Sequence, residues 1–317
     1  MINVIGLGFV GLTTAVGFAF KGKFVTGVEI DDDKRKKLNN IEIPFHEPHL
    51  KKKLKNVKNT RNLHISNKVI IDKNINFFFI CVGTPSRVNG SIDLTILKNA
   101  IRDVVKNINS KKNNSKNYIV IKSTVIPGTV DLLKKQYKKY KNIIFISNPE
   151  FLREGYAWED FIKPDKIVIG ANDKLDFNNI KNLYQGFQSE FILVTERGAE
   201  FSKYLSNTAL AAMISFSNEM TIFAEKMKIN EISKIFRSFH FDKRWYGNPS
   251  QMANYFQPGL GYGGYCLPKD VRAFINLSKN KKIKVPILSS TDKVNSDIFD
   301  YQFNKVIKRI NKKKKIF

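Results

Sequence analysis

The chain has 317 residues, 42% of them hydrophobic, which is enough for two globular domains of ordinary size. No apolar run approaches the roughly 18 residues of a spanning helix, and Met1-Ile2-Asn3-Val4-Ile5-Gly6 reads as a strand entering a turn rather than a secretory leader. The formal charge is +26, but the lysines are scattered over helix surfaces and loops among Asn and Ile; nucleic acid and membrane are therefore set aside as partners, while small anionic ligands are attracted.

Two cysteines, Cys81 and Cys266, make no disulfide framework and fit a reducing, cytoplasmic setting. Short apolar runs at 2–5, 24–29, 63–66, 77–82, 118–122, 143–146, 166–169 and 191–194 read as strands. Helical periodicity lies between many of them, as after Gly11, at 94–108 and at 130–140. This alternation predicts an α/β fold with a doubly wound parallel sheet. After Thr195 the pattern turns helical, with one long proline-free stretch over 197–228, then 232–239, 271–279 and 288–310. The expected division is a Rossmann-type domain over 1–196, a helical domain over 197–300 and a short tail over 301–317 whose lysines 312–315 fray.

The first strand runs into Gly6-Leu7-Gly8-Phe9-Val10-Gly11. In such a fingerprint the first glycine makes the tight turn, the second lets backbone reach a pyrophosphate, and the third lets helix and strand pack closely. Glu29 ends the second strand, placed to accept hydrogen bonds from ribose hydroxyls and to repel a 2′-phosphate, with Asp31 two residues further on as a local competitor. NAD is therefore the expected dinucleotide, although Lys34 and Arg35 lie near. Gly83, Thr84 and Pro85 end another strand, where ligands bind in such sheets, and their plain alternative is an ordinary turn.

Cys266 sits in Gly259-Leu260-Gly261-Tyr262-Gly263-Gly264-Tyr265-Cys266-Leu267-Pro268-Lys269-Asp270. The glycines permit close approach to a ligand. Pro268 suits the first turn of a following helix, and a thiol just before a helix N-terminus, near Lys269, meets a field favouring thiolate. The alternative is a small buried hydrophobe in a turn. Three further segments stand out: Ser123-Thr124-Val125-Ile126-Pro127-Gly128, Asn148-Pro149-Glu150-Phe151-Leu152-Arg153-Glu154-Gly155, and Glu200, Lys203 and Asn207 at 3- and 4-residue spacing on the long helix. Taken singly, these read as a helix cap, a polar turn and a solvated helix face.

With the cysteine loop, these segments resemble the UDP-glucose/GDP-mannose dehydrogenase family from Met1 to about Asn304. The resemblance implies a 6-phosphogluconate-dehydrogenase-like helical domain that dimerises. It also implies oxidation of the C6 alcohol of a nucleotide sugar to a carboxylate, with two NAD and no metal. Carried over residue by residue, Cys266 is the nucleophile, and Lys203 and Asn207 stabilise oxyanions at C6. Thr124 and Asp270 hold water, and Glu154, read as a buried glutamate of raised pKa, is the general base. Ser123, Thr124, Glu154 and Lys269 join Gly6, Gly8, Phe9, Val10, Gly11, Glu29, Lys34, Gly83, Thr84 and Pro85 around the cofactor. Phe151, Leu152, Arg153, Glu154, Lys203, Asn207, Tyr255, Gly259, Tyr262 and Gly263 contact substrate. Arg244 enters the neighbouring subunit's site, so the expected assembly is a homodimer, with Ala209, Ala211, Ala212, Met213, Phe216 and Met220 as apolar surface on the long helix.

The chemistry is consistent with those roles. After the first oxidation, addition of a thiolate to the aldehyde gives a thiohemiacetal that can be oxidised to a thioester, which water then releases as the acid. Two features depart from the family pattern. Glu29 stands where members usually have Asp, and the chain ends 47 residues after Asp270, where members continue into another nucleotide-binding domain. That domain is then expected from a separate chain, or the gene is truncated, or the chain is a reduced form. UDP-glucose is the expected substrate; UDP-N-acetylhexosamine, GDP-mannose and an NAD-binding, dimerising remnant are the alternatives.

Overall fold

The computed structural model describes residues 1–111, 115–226, 228–241, 259–280, 282 and 285–314. Arg244 and Tyr255 lie outside them. Two compact units emerge: Met1–Pro85 with Ile92–Lys203, and Ser86–Ser91 with Tyr204–Phe317.

The first unit holds an eight-stranded sheet. Its strands are β1 (Ile2–Ile5), β2 (Val25–Val28), β3 (Leu63–Ser66), β4 (Asn76–Ile80), β5 (Asn117–Ile121), β6 (Ile143–Ser147), β7 (Lys166–Gly170) and β8 (Glu190–Val194). Their spatial order is β3-β2-β1-β4-β5-β6-β7-β8. All neighbours are parallel except β6 and β7, which pair antiparallel through Ser147 and Gly170. The expected doubly wound parallel sheet is present, with this one antiparallel join. A parallel join needs a crossover from one end of the sheet to the other, whereas the chain between Ser147 and Lys166 forms only a loop and one short helix.

Strand residues alternate between two apolar layers because successive side chains point to opposite faces. Ile2, Val4, Phe77, Phe79, Tyr118 and Val120 join one core with α1 (Phe9–Phe20), α3 (Leu50–Asn59) and α6 (Ala157–Ile162). Ile5, Phe78, Ile80, Ile119 and Ile121 join the other with α4 (Thr95–Ser110) and α5 (Thr129–Gln136). Helices α2 (Asp32–Asn39) and α7 (Lys174–Lys181) belong to the first face through Leu38 and Ile180. Phe18 is wholly buried there, with ring centroids 5.0 Å from Tyr184 and 5.2 Å from Phe79. The connection reverses direction along the sheet at β1, whose neighbours are β2 and β4. In open sheets of this kind the crevice beyond the carboxyl ends of such strands takes the ligand.

The second unit is helical. It contains most of α8 (Glu196–Lys226), then α9 (Ile232–His240), α10 (Cys266–Asn280) and α11 (Pro286–Lys314). Helix α11 continues through Lys314, while Lys315, the last of the lysines expected to fray, lies outside the described residues. The division falls inside α8 because its first turns are tied to the sheet unit. Glu200 accepts hydrogen bonds from Gly128 N at 2.6 Å and Val130 N at 2.8 Å, and Glu196 pairs with Lys134 at 2.5 Å. In the second unit Ala211, Tyr262 and Val271 form a small buried cluster.

Candidate active site

The glycine fingerprint is built for a ligand. Gly6 has φ +86°, a left-handed conformation that disfavours other residues. A Cβ on Gly11 would lie 1.8 Å from the Gly6 carbonyl oxygen, so only glycine lets α1 pack this closely. A Cβ on Gly8 would meet nothing within 4 Å, which leaves open space in front of the helix. No side chain caps α1 at Gly8, so the amides of its first turn face that space without helical partners.

Glu29 is buried at the end of β2. One carboxylate oxygen accepts from Leu7 N at 3.1 Å and pairs with Lys34 Nζ at 2.8 Å, and the other accepts from Ile30 N at 3.0 Å. Burial works to raise this carboxyl, but Lys34 and the backbone amides outweigh it and hold it below the ordinary carboxylate range. An ionised acceptor at this place suits ribose hydroxyls and fits NAD. The Thr84 hydroxyl donates to Thr124 O at 2.8 Å and that of Ser123 to Val82 O at 2.7 Å. Both hydroxyls therefore brace the loops after β4 and β5, while Thr124 itself is half-buried.

The segment after β6 departs from the sequence expectation. Glu154 is exposed, so its reading as a buried glutamate is corrected; it stands at the tip of a loop that Gly155 turns with φ +82°. The buried carboxylate is Glu150, which the sequence reading passed over. Its Oε1 pairs with Lys203 Nζ at 2.9 Å, and its Oε2 accepts from Leu152 N at 2.6 Å. Burial raises this carboxyl, yet Lys203, the Leu152 amide and Lys122 together bring it below its usual range. The Lys203 ammonium also lies 5.6 Å from the Phe151 ring centroid. Arg153 is bound to Asp160, with Nη2 to Oδ1 at 2.6 Å. Glu47, equally unsuspected, fixes the far side of the segment by accepting from Gly155 N at 3.1 Å.

In the helical unit Cys266 opens α10 instead of preceding it, and its side chain is exposed. The buried-hydrophobe reading is thereby removed. Pro268, at the third helical position, lacks an amide where none is needed. One turn on, Asp270 is completely buried. It pairs with Lys269 Nζ at 2.6 Å and accepts a short hydrogen bond from Asn207 Nδ2. Lys269, expected at the cofactor, is thus buried and turned to Asp270. Asn207 keeps a second amide hydrogen for another acceptor.

Two asparagines missed in the sequence pin the cysteine loop. Asn218 Oδ1 accepts from Gly259 N at 2.7 Å, while Asn295 accepts from Tyr262 N at 2.6 Å and donates to Tyr262 O at 3.1 Å. Tyr262, expected against substrate, lies in the small core of the unit, and its hydroxyl is buried without a partner among the described residues. Gly259 and Gly263 remain open, with nothing within 4 Å of an added Cβ.

Residues 1–188 match the family model for the UDP-glucose/GDP-mannose dehydrogenase NAD binding domain, and residues 197–297 match that for the central domain. The chain belongs to the UDP-glucose/GDP-mannose dehydrogenase family. A UDP-glucose 6-dehydrogenase of Rickettsia prowazekii is 38% identical over 302 residues, covering 93% of this chain and 66% of the relative. Among solved structures, a UDP-glucose dehydrogenase from Pyrobaculum islandicum is 33% identical, with a TM-score of 0.88 over 98% of this chain and 71% of that one. A GDP-mannose dehydrogenase from Pseudomonas aeruginosa is 30% identical, with a TM-score of 0.67 over 97% and 71%. The chain therefore spans about two-thirds of the length of these relatives. Its sheet unit is an NAD-binding Rossmann domain. No helix among the described residues is long and apolar enough to cross a membrane.

Proposed function

We propose that this chain carries the chemistry of a nucleotide-sugar 6-dehydrogenase acting on UDP-glucose, through a covalent intermediate on Cys266. The observation that carries the reading is an exposed thiol one helical turn from a buried Asn207–Asp270–Lys269 network. Gly6, Gly8, Gly11 and Glu29 would hold NAD, which supplies the hydride acceptor when bound. Thiolate addition at the C6 aldehyde forms a C–S bond and leaves negative charge on oxygen. The Asn207 amide and the Lys203 ammonium are the donors for that charge. Asp270 fixes the Asn207 amide, and Glu150 fixes the Lys203 ammonium. Breaking the later thioester C–S bond requires a water to lose a proton, for which Glu154 and Glu150 are the candidate bases and Thr124 a water-holding hydroxyl.

The substrate preference rests on relatives named for UDP-glucose, with GDP-mannose and UDP-N-acetylhexosamines as the alternatives. A homodimer through α8 belongs to the same proposal, supported by Phe216, which remains half-exposed on that helix. Ala211 is buried within its own unit and leaves the expected interface surface. The test is NADH formation from a panel of nucleotide sugars, with the chain alone and with a separately supplied C-terminal nucleotide-binding domain. Two NADH per UDP-glucuronate are expected from UDP-glucose. Turnover confined to another sugar would replace the substrate, and no turnover under either condition would favour a non-catalytic NAD-binding subunit.

A further inference from the structure

Lys122 has no part in the chemistry described so far, yet it is one of the most deeply placed charges in the protein. It follows β5, directly before Ser123 and Thr124, and is only 5% exposed. Its Nζ lies 3.4 Å from Asn148 Oδ1 and 3.5 Å from Asn148 O, both long for hydrogen bonds of an ammonium. Asn148 is also held from two other sides: its Nδ2 donates to Val168 O at 2.8 Å, and its Oδ1 accepts from Tyr184 Oη at 2.5 Å. Asn148 begins the turn that delivers Glu150 to Lys203. Lys122 is within electrostatic reach of Glu150, Lys203 and the Cys81 thiol. One buried carboxylate thus pairs with the buried Lys203 and also feels the charge of the buried Lys122. Burying an ammonium is costly unless it is compensated, and a methionine would fill the same place without that cost.

We propose that Lys122 is a positioning residue: its buried ammonium holds the Asn148 turn and supplies the second positive charge that keeps Glu150 ionised and directed at Lys203. Only the consequence for turnover rests on the dehydrogenase reading, since the charge cluster can be measured in the unliganded protein. The charge at stake is labile at ordinary pH. Burial brings the Lys122 ammonium down to about 8, with the like charge of Lys203 adding to the fall and Cys81 and Glu150 opposing it. The neighbouring Cys81 thiol is pushed by burial to about 12 and stays neutral there, and the Tyr184 phenol is raised by burial and stays neutral as well.

The experiment is a carbon-13 titration of the Glu150 carboxyl in the full chain, read against the nitrogen-15 signal of Lys122 Nζ. In the wild type, the Glu150 and Lys203 signals are expected to move in the same pH step in which Lys122 loses its proton. In Lys122→Met the Glu150 midpoint should rise by about one unit, as for a carboxylate losing a nearby cation, and Lys122→Arg should restore most of the wild-type value. A Glu150 signal that ignores Lys122 ionisation would overturn the proposal, even if Lys122→Met failed to fold. An unchanged midpoint in a folded Lys122→Met would overturn it too, leaving Lys122 as a strand-end pin. Where the wild type turns over, Lys122→Met should lower kcat about tenfold with a smaller change in KM, matching the roughly one-unit change in charge stabilisation. Absence of wild-type turnover would count against the function reading alone, because the titration decides the role of Lys122 without catalysis.

Discussion

Gly8 and Gly11 are both part of the fingerprint, but their replacement by alanine should have opposite signatures. A Cβ on Gly11 would be 1.8 Å from Gly6 O and 3.0 Å from the Cys81 Cβ. Backbone must then move, and overpacking of a tight core site costs about 1–3 kcal/mol or more. For a protein of this size that lowers the melting temperature by about 2–4 °C per kcal/mol. A Cβ on Gly8 meets nothing within 4 Å, and its φ of −69° suits any residue, so the unliganded protein should melt within about 1 °C of wild type. The methyl would instead fill the approach to the α1 amides. Losing one charge-assisted hydrogen bond to a phosphate costs about 1.5–3 kcal/mol, or about 10- to 150-fold in affinity. The assay pairs thermal melts of the unliganded variants with NADH fluorescence titrations. Undiminished affinity in Gly8→Ala would refute the assignment of that space to the pyrophosphate.

Glu29→Ala removes the acceptor expected to meet the ribose while leaving Lys34 and Arg35 in place; NAD affinity should fall by about 10-fold or more and the preference over NADP should narrow, measured by titration with both dinucleotides. Glu200 offers a pH signature. Burial raises its carboxyl to about 7 against the hydrogen bonds from Val130 and Gly128, so its stabilising contribution is complete below the ordinary carboxylate range and is lost as pH rises through about 7. The wild-type urea midpoint should fall relative to that of Glu200→Gln between about pH 5 and pH 8, by up to roughly 3 kcal/mol in stability, and parallel pH curves would contradict this. Asn295→Ala frees Tyr262 N and O together; protection of the Tyr262 amide against hydrogen exchange should drop, with a stability loss of about 1–3 kcal/mol.

The sheet was legible because each strand is an apolar run bounded by turns, and the fingerprint was legible because its glycines have separate steric duties. Gly8, Gly11 and Glu29 stand where that logic places them. The antiparallel join at β7 was hidden, since Lys166–Gly170 reads the same in either direction. Choosing between Glu150 and Glu154 was also beyond the sequence. Both carboxylates lie in one polar turn, and only the approach of Lys203 from α8 decides which is buried. The one available signal was the lysine at position 203, a cation on a helix that needs an anion if it is buried. Lys122 went unseen because a lysine closing a strand ordinarily marks its solvent end. Asn218 and Asn295 looked like surface residues of long helices, and their backbone partners 41 and 33 residues away carry no local pattern.

The central claim is that the Cys266 thiol forms the covalent intermediate that makes the acid. Its most direct test is UDP-glucuronate formed from UDP-glucose and NAD by Cys266→Ala, under conditions where the wild type turns over. The exposed position of Cys266 in the first turn of α10 makes the substitution mild for the fold. The account predicts that the variant still binds NAD and forms no acid. Undiminished acid formation would show that the thiol is not the nucleophile, and the covalent mechanism would have to be abandoned.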